Sequence, residues 1–201
     1  GGGSSGGGDG SRGPLSRYNL YRWKPSPSLT DDENYLDLVH VLTRNSICLQ
    51  GHMACVLVGP HLLKRYDDAR RYIKGGGVRS SAELRTRLFS AIIGVSNNFP
   101  LYSEMDSDVH AEIGALGEAA RRGKPTEGCT AYITMPPCKN CFGSLSSSGI
   151  ARIVSVSYAC ATVADAASDR GIEMVNVGRA RAGEIKERVR DELTTLERKM
   201  R

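Results

Sequence analysis

Arg152-Ile153-Val154-Ser155-Val156-Ser157 and Glu173-Met174-Val175-Asn176-Val177 read as strands, and the fifteen residues between them, Tyr158 to Ile172, decide the architecture. Antiparallel neighbours need only a hairpin, whereas parallel neighbours need a crossover of about a dozen residues or more. The link is long enough for a crossover helix, and its Ala-rich Thr162 to Asp169 segment reads as one. These two strands are therefore expected to pair in parallel, and a parallel pair belongs in a sheet with helices on its faces.

Working back toward the N-terminus, Thr130 to Met135, Met53 to Val58 and Leu88 to Ile93 are further short apolar runs of strand length. Helical patterns fall at Val109 to Arg122 and Cys138 to Ser148. Thr30-Asp31-Asp32-Glu33 reads as a capping box that opens a helix running to about Asn45, with acidic groups in its positive first turn. The expectation is an α/β chain: a three-layer α/β/α fold around a five-stranded mixed sheet, strands 4 and 5 parallel. A last helix, Ala182 to Lys199, carries Ile185, Val189, Leu193, Leu196 and Met200 as an amphipathic stripe.

Two elements of this frame carry chemistry. His110-Ala111-Glu112 and Pro136-Pro137-Cys138-Lys139-Asn140-Cys141 place one imidazole, two thiols and a carboxylate within 32 residues. Three protein ligands with the fourth position left to water is the arrangement of catalytic zinc, and His110, Cys138 and Cys141 supply three. Glu112 lies close enough to handle a proton without being a ligand. Asp106-Ser107-Asp108 is expected to cap the first helix, and Pro137 to open the second. Both clusters then sit at positive helix ends, which lower thiol pKa. A structural zinc site needs four protein ligands, and no second Cys or His pair at suitable spacing is present. A redox Cys-x-x-Cys gives the His-Ala-Glu element no role. His40, His52 and His61 read as packing or surface residues.

Composition narrows the class further. With 201 residues and 40% apolar content the chain supports one full-sized domain. No run approaches a membrane span or a secretory signal, so an intracellular, cytoplasmic location is expected, with nucleus or organelle as alternatives. Cys48, Cys55, Cys129 and Cys160 read as reduced, buried thiols. The net charge of +5 is unevenly spread: residues 1–28 carry +3, 61–87 carry +5 and 179–201 carry +3, leaving the remainder acidic. Such gathering favours phosphate-bearing partners, with a solvated surface as the competing reading. Three regions result. Residues 1–28 are a Gly/Ser-rich leader, expected to be disordered, followed by a basic-aromatic arm with Tyr18, Tyr21 and Trp23 that lies against the domain or a partner. The folded core is expected to start at Thr30 within a catalytic domain spanning 29–178, and 179–201 form the C-terminal basic helix.

His-x-Glu followed by Pro-Cys-x-x-Cys is the pattern of the zinc nucleobase deaminases. From Glu33 to Val177 the chain resembles the zinc-dependent cytidine and deoxycytidylate deaminase superfamily, and within it the deoxycytidylate branch. Arg44 to Cys48 leading into Met53 to Val58 looks like that branch's Arg-Ser-Thr-Cys element and first strand. Ser96-Asn97-Asn98-Phe99-Pro100 looks like its Tyr-Asn-Gly-x-Pro turn, and Thr130 to Cys141 with Ser148 to Val154 looks like the superfamily's strand, metal helix and next strand.

The resemblance implies a cytidine deaminase-like fold, a Zn2+ cofactor, a nucleotide substrate and a homo-oligomer. It makes Glu112 the proton carrier, with Asn97 touching the sugar and the backbone at Ala111 and Thr134 to Pro136 facing the base. Ordinary turn chemistry is the alternative for Asn97. The chain departs from the branch at Ser96, Asn98 and Ser155, which leaves Tyr158 as the nearest aromatic to stack on the base. The 61–87 segment is an insertion between strands that a hairpin would normally join, and holds Arg70, Arg71, Lys74 and Arg79 around Gly75 to Gly77. Such a loop suits a phosphate or a nucleic-acid backbone, or is simply solvated. Two activities follow: deamination of deoxycytidylate to deoxyuridylate, and editing of tRNA or single-stranded DNA through the basic segments.

Overall fold

The computed structural model describes residues 13–60, 80–177 and 183–190. The Gly/Ser leader, most of the basic insertion with His61, and the C-terminal helix outside 183–190 fall beyond the described residues. In chain order the elements are α1 (Asp31–Thr43), β1 (Ala54–Val58), α2 (Ser81–Ser90), β2 (Ile92–Asn97), α3 (Ala111–Arg121), β3 (Thr130–Ile133), α4 (Lys139–Ser147), β4 (Arg152–Ser155), α5 (Ala161–Asp169) and β5 (Glu173–Asn176). The stretch 183–190 is helical.

The five strands form one sheet in the order β2-β1-β3-β4-β5. β1 runs antiparallel to both β2 and β3, while β3–β4 and β4–β5 are parallel. α5 bridges the last two strands, so the parallel pairing expected from the length of that link is present. Alternation along β1 assigns the two faces. Ala54, Val56 and Val58 join α1, α2 and the 183–190 helix in one buried cluster. Cys55 and Leu57 join α3, α4 and α5 in the other. Helices therefore cover both faces in three layers.

α1 starts with the capping box read in the sequence: Thr30 Oγ1 accepts from Glu33 N–H, and the Glu33 carboxylate accepts from Thr30 N–H at 2.8 Å. The run Leu88 to Ile93 is not one strand. Its first three residues close α2, and β2 begins at Ile92. A second reciprocal box, Ser80 with Glu83, nucleates α2 and places Leu84 and Leu88 on its buried face. β2 then continues through Gly94, Ser96 and Asn97, whose composition does not look like a strand.

The core also begins earlier than Thr30. Leu15 and Trp23 of the arm are 8% and 4% exposed and belong to the α1 cluster. Arg17 and the Tyr18 hydroxyl both donate to the Val95 carbonyl at 3.1 Å. The arm thereby covers the free edge of β2, an edge that would otherwise offer unpaired backbone groups. All six cysteines are free, but Cys160, the residue capping α5, is exposed rather than buried.

Candidate metal centre

β1, β3 and α3 bring the two sequence clusters together. His110 is the N-cap of α3 and Cys138 the N-cap of α4, so a loop-to-helix transition presents each side chain. The expected caps lie elsewhere. His110 makes no side-chain cap, and Asp108 instead accepts from the backbone N–H groups of Leu101, Tyr102 and Ser103, each at 2.8 Å, folding the preceding loop. Pro137 stands one residue before the α4 cap. Cys141, in the first turn of α4, donates its N–H to Cys138 Sγ at 3.5 Å, which brings the two sulfurs to one side.

The ligand atoms of His110, Cys138 and Cys141 lie within 4.8 Å of one another. His110 Nδ1 is 3.7 Å from Cys138 Sγ and 3.3 Å from Cys141 Sγ. Tetrahedral zinc with its usual Zn–S and Zn–N bond lengths holds such atoms about 3.6 Å apart. The trio therefore fits the ion in both donor type and spacing.

Glu112 sits in the first turn of α3, only 6% exposed. Burial pushes its carboxyl above the ordinary glutamate value, against the lowering influence of its own backbone N–H, of His110 and of a hydrogen bond with Cys141. Burial, and after it the Glu112 charge, pushes the Cys141 thiol up. A divalent cation is what would convert that sulfur to thiolate.

A cavity of about 380 Å³ opens above this cluster. His110, Glu112 and Cys138 line it, as do Ala111 and Pro136. Asn97, Thr134 and Tyr158 are not among its lining residues. Asn97 Nδ2 donates to the carbonyls of Leu42 and Met53, and its buried Oδ1 has no partner among the described residues. Thr134 Oγ1 accepts from Ala54 N–H at 2.9 Å. Tyr158 is 81% exposed.

The next residue, Asn98, reaches the cavity instead. Its amide accepts from Met53 N–H and Ser46 Oγ, and donates to the Gly51 carbonyl and to Ser107 Oγ. It thereby ties together the loops that supply Gln50, Gly51 and Ser107 to the lining. Asn97 ends β2 and Asn98 leaves it, so a change of one residue changes the face. The sequence held no sign of which asparagine turns inward except that strand end.

An α/β/α protein with a His–Cys–Cys trio at two helix N-termini over a buried carboxylate is one built around a single metal ion. The family model described as the cytidine and deoxycytidylate deaminase zinc-binding region matches residues 29–157, which contain all four groups. The chain belongs to that family, its cofactor is zinc, and His110, Cys138 and Cys141 are the residues that would hold it.

Among curated relatives, the deoxycytidylate deaminase of Enterobacteria phage T2 is 39% identical over 70 residues, covering 30% of this chain and 37% of that protein. The phage T4 enzyme is 42% identical over 55 residues, covering 26% and 28%. The matched part thus spans about a third of those relatives. Among solved structures, the dCMP deaminase of cyanophage S-TIM5 in apo form aligns over 73% of this chain and 96% of its own, with a TM-score of 0.52 and 15% identity. A diaminohydroxyphosphoribosylaminopyrimidine deaminase/reductase of Thermotoga maritima aligns over 84% and 42%, with a TM-score of 0.51 and 16% identity. The shared feature is the cytidine deaminase-like fold. Among the described residues no helix is long and apolar enough to cross a membrane.

Proposed function

We propose that the protein hydrolytically deaminates a cytosine-bearing nucleotide, converting deoxycytidylate to deoxyuridylate with release of ammonia. The observation that carries this reading is the buried Glu112 carboxylate beside the His110–Cys138–Cys141 trio, with Glu112, His110 and Cys138 bordering one cavity of nucleoside size. The phage deoxycytidylate deaminases support the choice of substrate.

When bound, zinc supplies a Lewis acid that makes water a nucleophile near neutral pH. The chain's own part is proton handling and placement. Glu112 accepts a proton from the attacking water as the new bond to C4 of the cytosine forms, and delivers it to ring N3. It then carries the second proton to the 4-amino group, so that the C4–N bond breaks and ammonia leaves. The Asn98 bonds keep Gly51 and Ser107 in place around the ring, and Ala111 and Pro136 confine it. Ile47, Leu49, Leu101 and Tyr102 are exposed in the loops bordering the cavity, which supports assembly with further copies of the chain.

The test offers the zinc-loaded protein deoxycytidylate, cytidine, tRNA and single-stranded DNA, and measures uracil and ammonia. Deoxycytidylate should turn over. Turnover on polynucleotides alone would overturn the assignment in favour of an editing enzyme.

A further inference from the structure

A second cavity, of about 660 Å³, lies between the N-terminal arm and α2, and shares no lining residue with the first. It belongs to the face covered by α1 and α2, whereas α3 and α4 present the metal trio from the opposite face. Tyr18, Tyr21, Trp23 and Phe89 contribute rings to it. Trp23 and Phe89 lie stacked there, with ring centroids 6.4 Å apart and planes 9° from parallel. Tyr18 and Tyr21 are half-buried, and the Arg17 guanidinium already lies over the Tyr18 ring at 5.1 Å.

Arg22, Lys24 and Arg85 are exposed around the same cavity, and the described residues lining it include no carboxylate. Arg85 lies over the Phe89 ring at 5.0 Å. The turn that sets this arrangement is strained. Trp23 N–H donates to the Leu20 carbonyl at 2.8 Å while Tyr21 and Arg22 have φ of 49° and 59°. A turn with two successive left-handed residues is ordinarily Asn-Gly or Gly-Gly. Here it is built from a bulky ring and a guanidinium, both brought to the cavity at a conformational cost.

We propose that this cavity docks single-stranded nucleic acid, an unpaired base lying against the Tyr21 ring and its flanking phosphates on Arg22, Lys24 and Arg85. Rings with a cationic border, and no carboxylate among the described lining residues, complement an unpaired strand, whose bases offer π-faces and whose backbone offers charge. A duplex hides those faces. The inference stands apart from the choice of deamination substrate, because it concerns the other face of the sheet.

The experiment measures anisotropy of fluorescein-labelled oligothymidylate with the full-length, zinc-loaded protein across a salt series. Thymine carries no exocyclic amine, so deamination does not enter the readout. The wild type should bind, with affinity falling as salt rises. Tyr21→Gly should weaken binding roughly tenfold, the loss of about one base–ring stack. Its melting temperature checks folding, because glycine relaxes the turn but gives up the Tyr21 contact with the α1 cluster and its hydroxyl bond to the Arg44 carbonyl at 3.4 Å. Arg85→Glu should make the salt slope shallower by about 0.7 per lost phosphate contact. Absence of binding by the wild type, wild-type affinity in both variants, or equal displacement by free thymidylate would each overturn the proposal.

Discussion

At the residue scale, Glu112 separates chemistry from metal binding. It lies beside the trio but outside it, so Glu112→Ala should retain about the full zinc content while turnover falls by about 10²–10⁴. Atomic absorption together with a deamination assay checks this, and loss of metal in the variant would make the carboxylate a ligand. Asp32 makes a different prediction. It holds a bidentate pair with Arg152 at 2.7 and 2.8 Å and accepts from the Tyr132 hydroxyl at 2.7 Å. Burial raises its pKa, but the Arg152 and Tyr132 hydrogen bonds and the Arg152 charge outweigh that and hold it below 3.8. A depressed folded-state pKa contributes stability that is complete above the unfolded value, about 3.9, and is lost as pH falls through the folded one. Urea midpoints taken from pH 5 down to pH 2.5 should therefore drop more steeply for the wild type than for Asp32→Asn. Equal slopes would remove this pair from the acid response.

At the scale of elements, α3 and β2 approach closely because each carries a glycine where atoms of the other come nearest. A Cβ on Gly94 would run into the Ala115 carbonyl oxygen and come within 3.2 Å of Ala119 Cβ, and one on Gly114 would meet the Ser96 side chain. Since α3 carries His110 and Glu112, the seat of this helix on the sheet fixes the height of both groups. Gly94→Ala forces backbone apart and should cost about 1–3 kcal/mol. Calorimetric melting is the check, and an unchanged melting temperature would mean that the helix slides without loss. α2 shows the limit of reading elements from apolar runs. Leu88, Phe89 and Ile92 look continuous in sequence, yet the Ser80–Glu83 box starts a helix that consumes the first two.

At the scale of the whole molecule, the trio joins two helices that lie apart in sequence. An ion held between His110 on α3 and Cys138 and Cys141 on α4 ties those helix ends together, and a ligand that binds only the folded state stabilises it. Removing zinc with a chelator should lower the melting temperature by several degrees, and Cys138→Ala should lose most of that difference. A melting temperature indifferent to chelation would leave the trio without a structural share. The second long-range tie is Arg188, whose guanidinium donates twice to Asp37 at 2.7 and 2.9 Å, pinning the 183–190 helix to α1. Asp37 is 3% exposed, which makes this pair a means of holding the terminal helix against the α1 face.

Local rules were enough for the features that depend on neighbours in sequence. The Thr30 box, the crossover length from Tyr158 to Ile172 and the close pairs His110 with Glu112 and Cys138 with Cys141 all express bonds or distances within a few residues or one connection. They were legible before folding, as were the mixed sheet and the metal chemistry. Tertiary structure alone decided what depends on the meeting of distant segments: that Leu15 and Trp23 complete the α1 core, that Asn98 rather than Asn97 lines the cavity, and that burial beside Glu112 raises Cys141. Burial and facing are properties of the surroundings, and those surroundings exist only once the sheet has assembled.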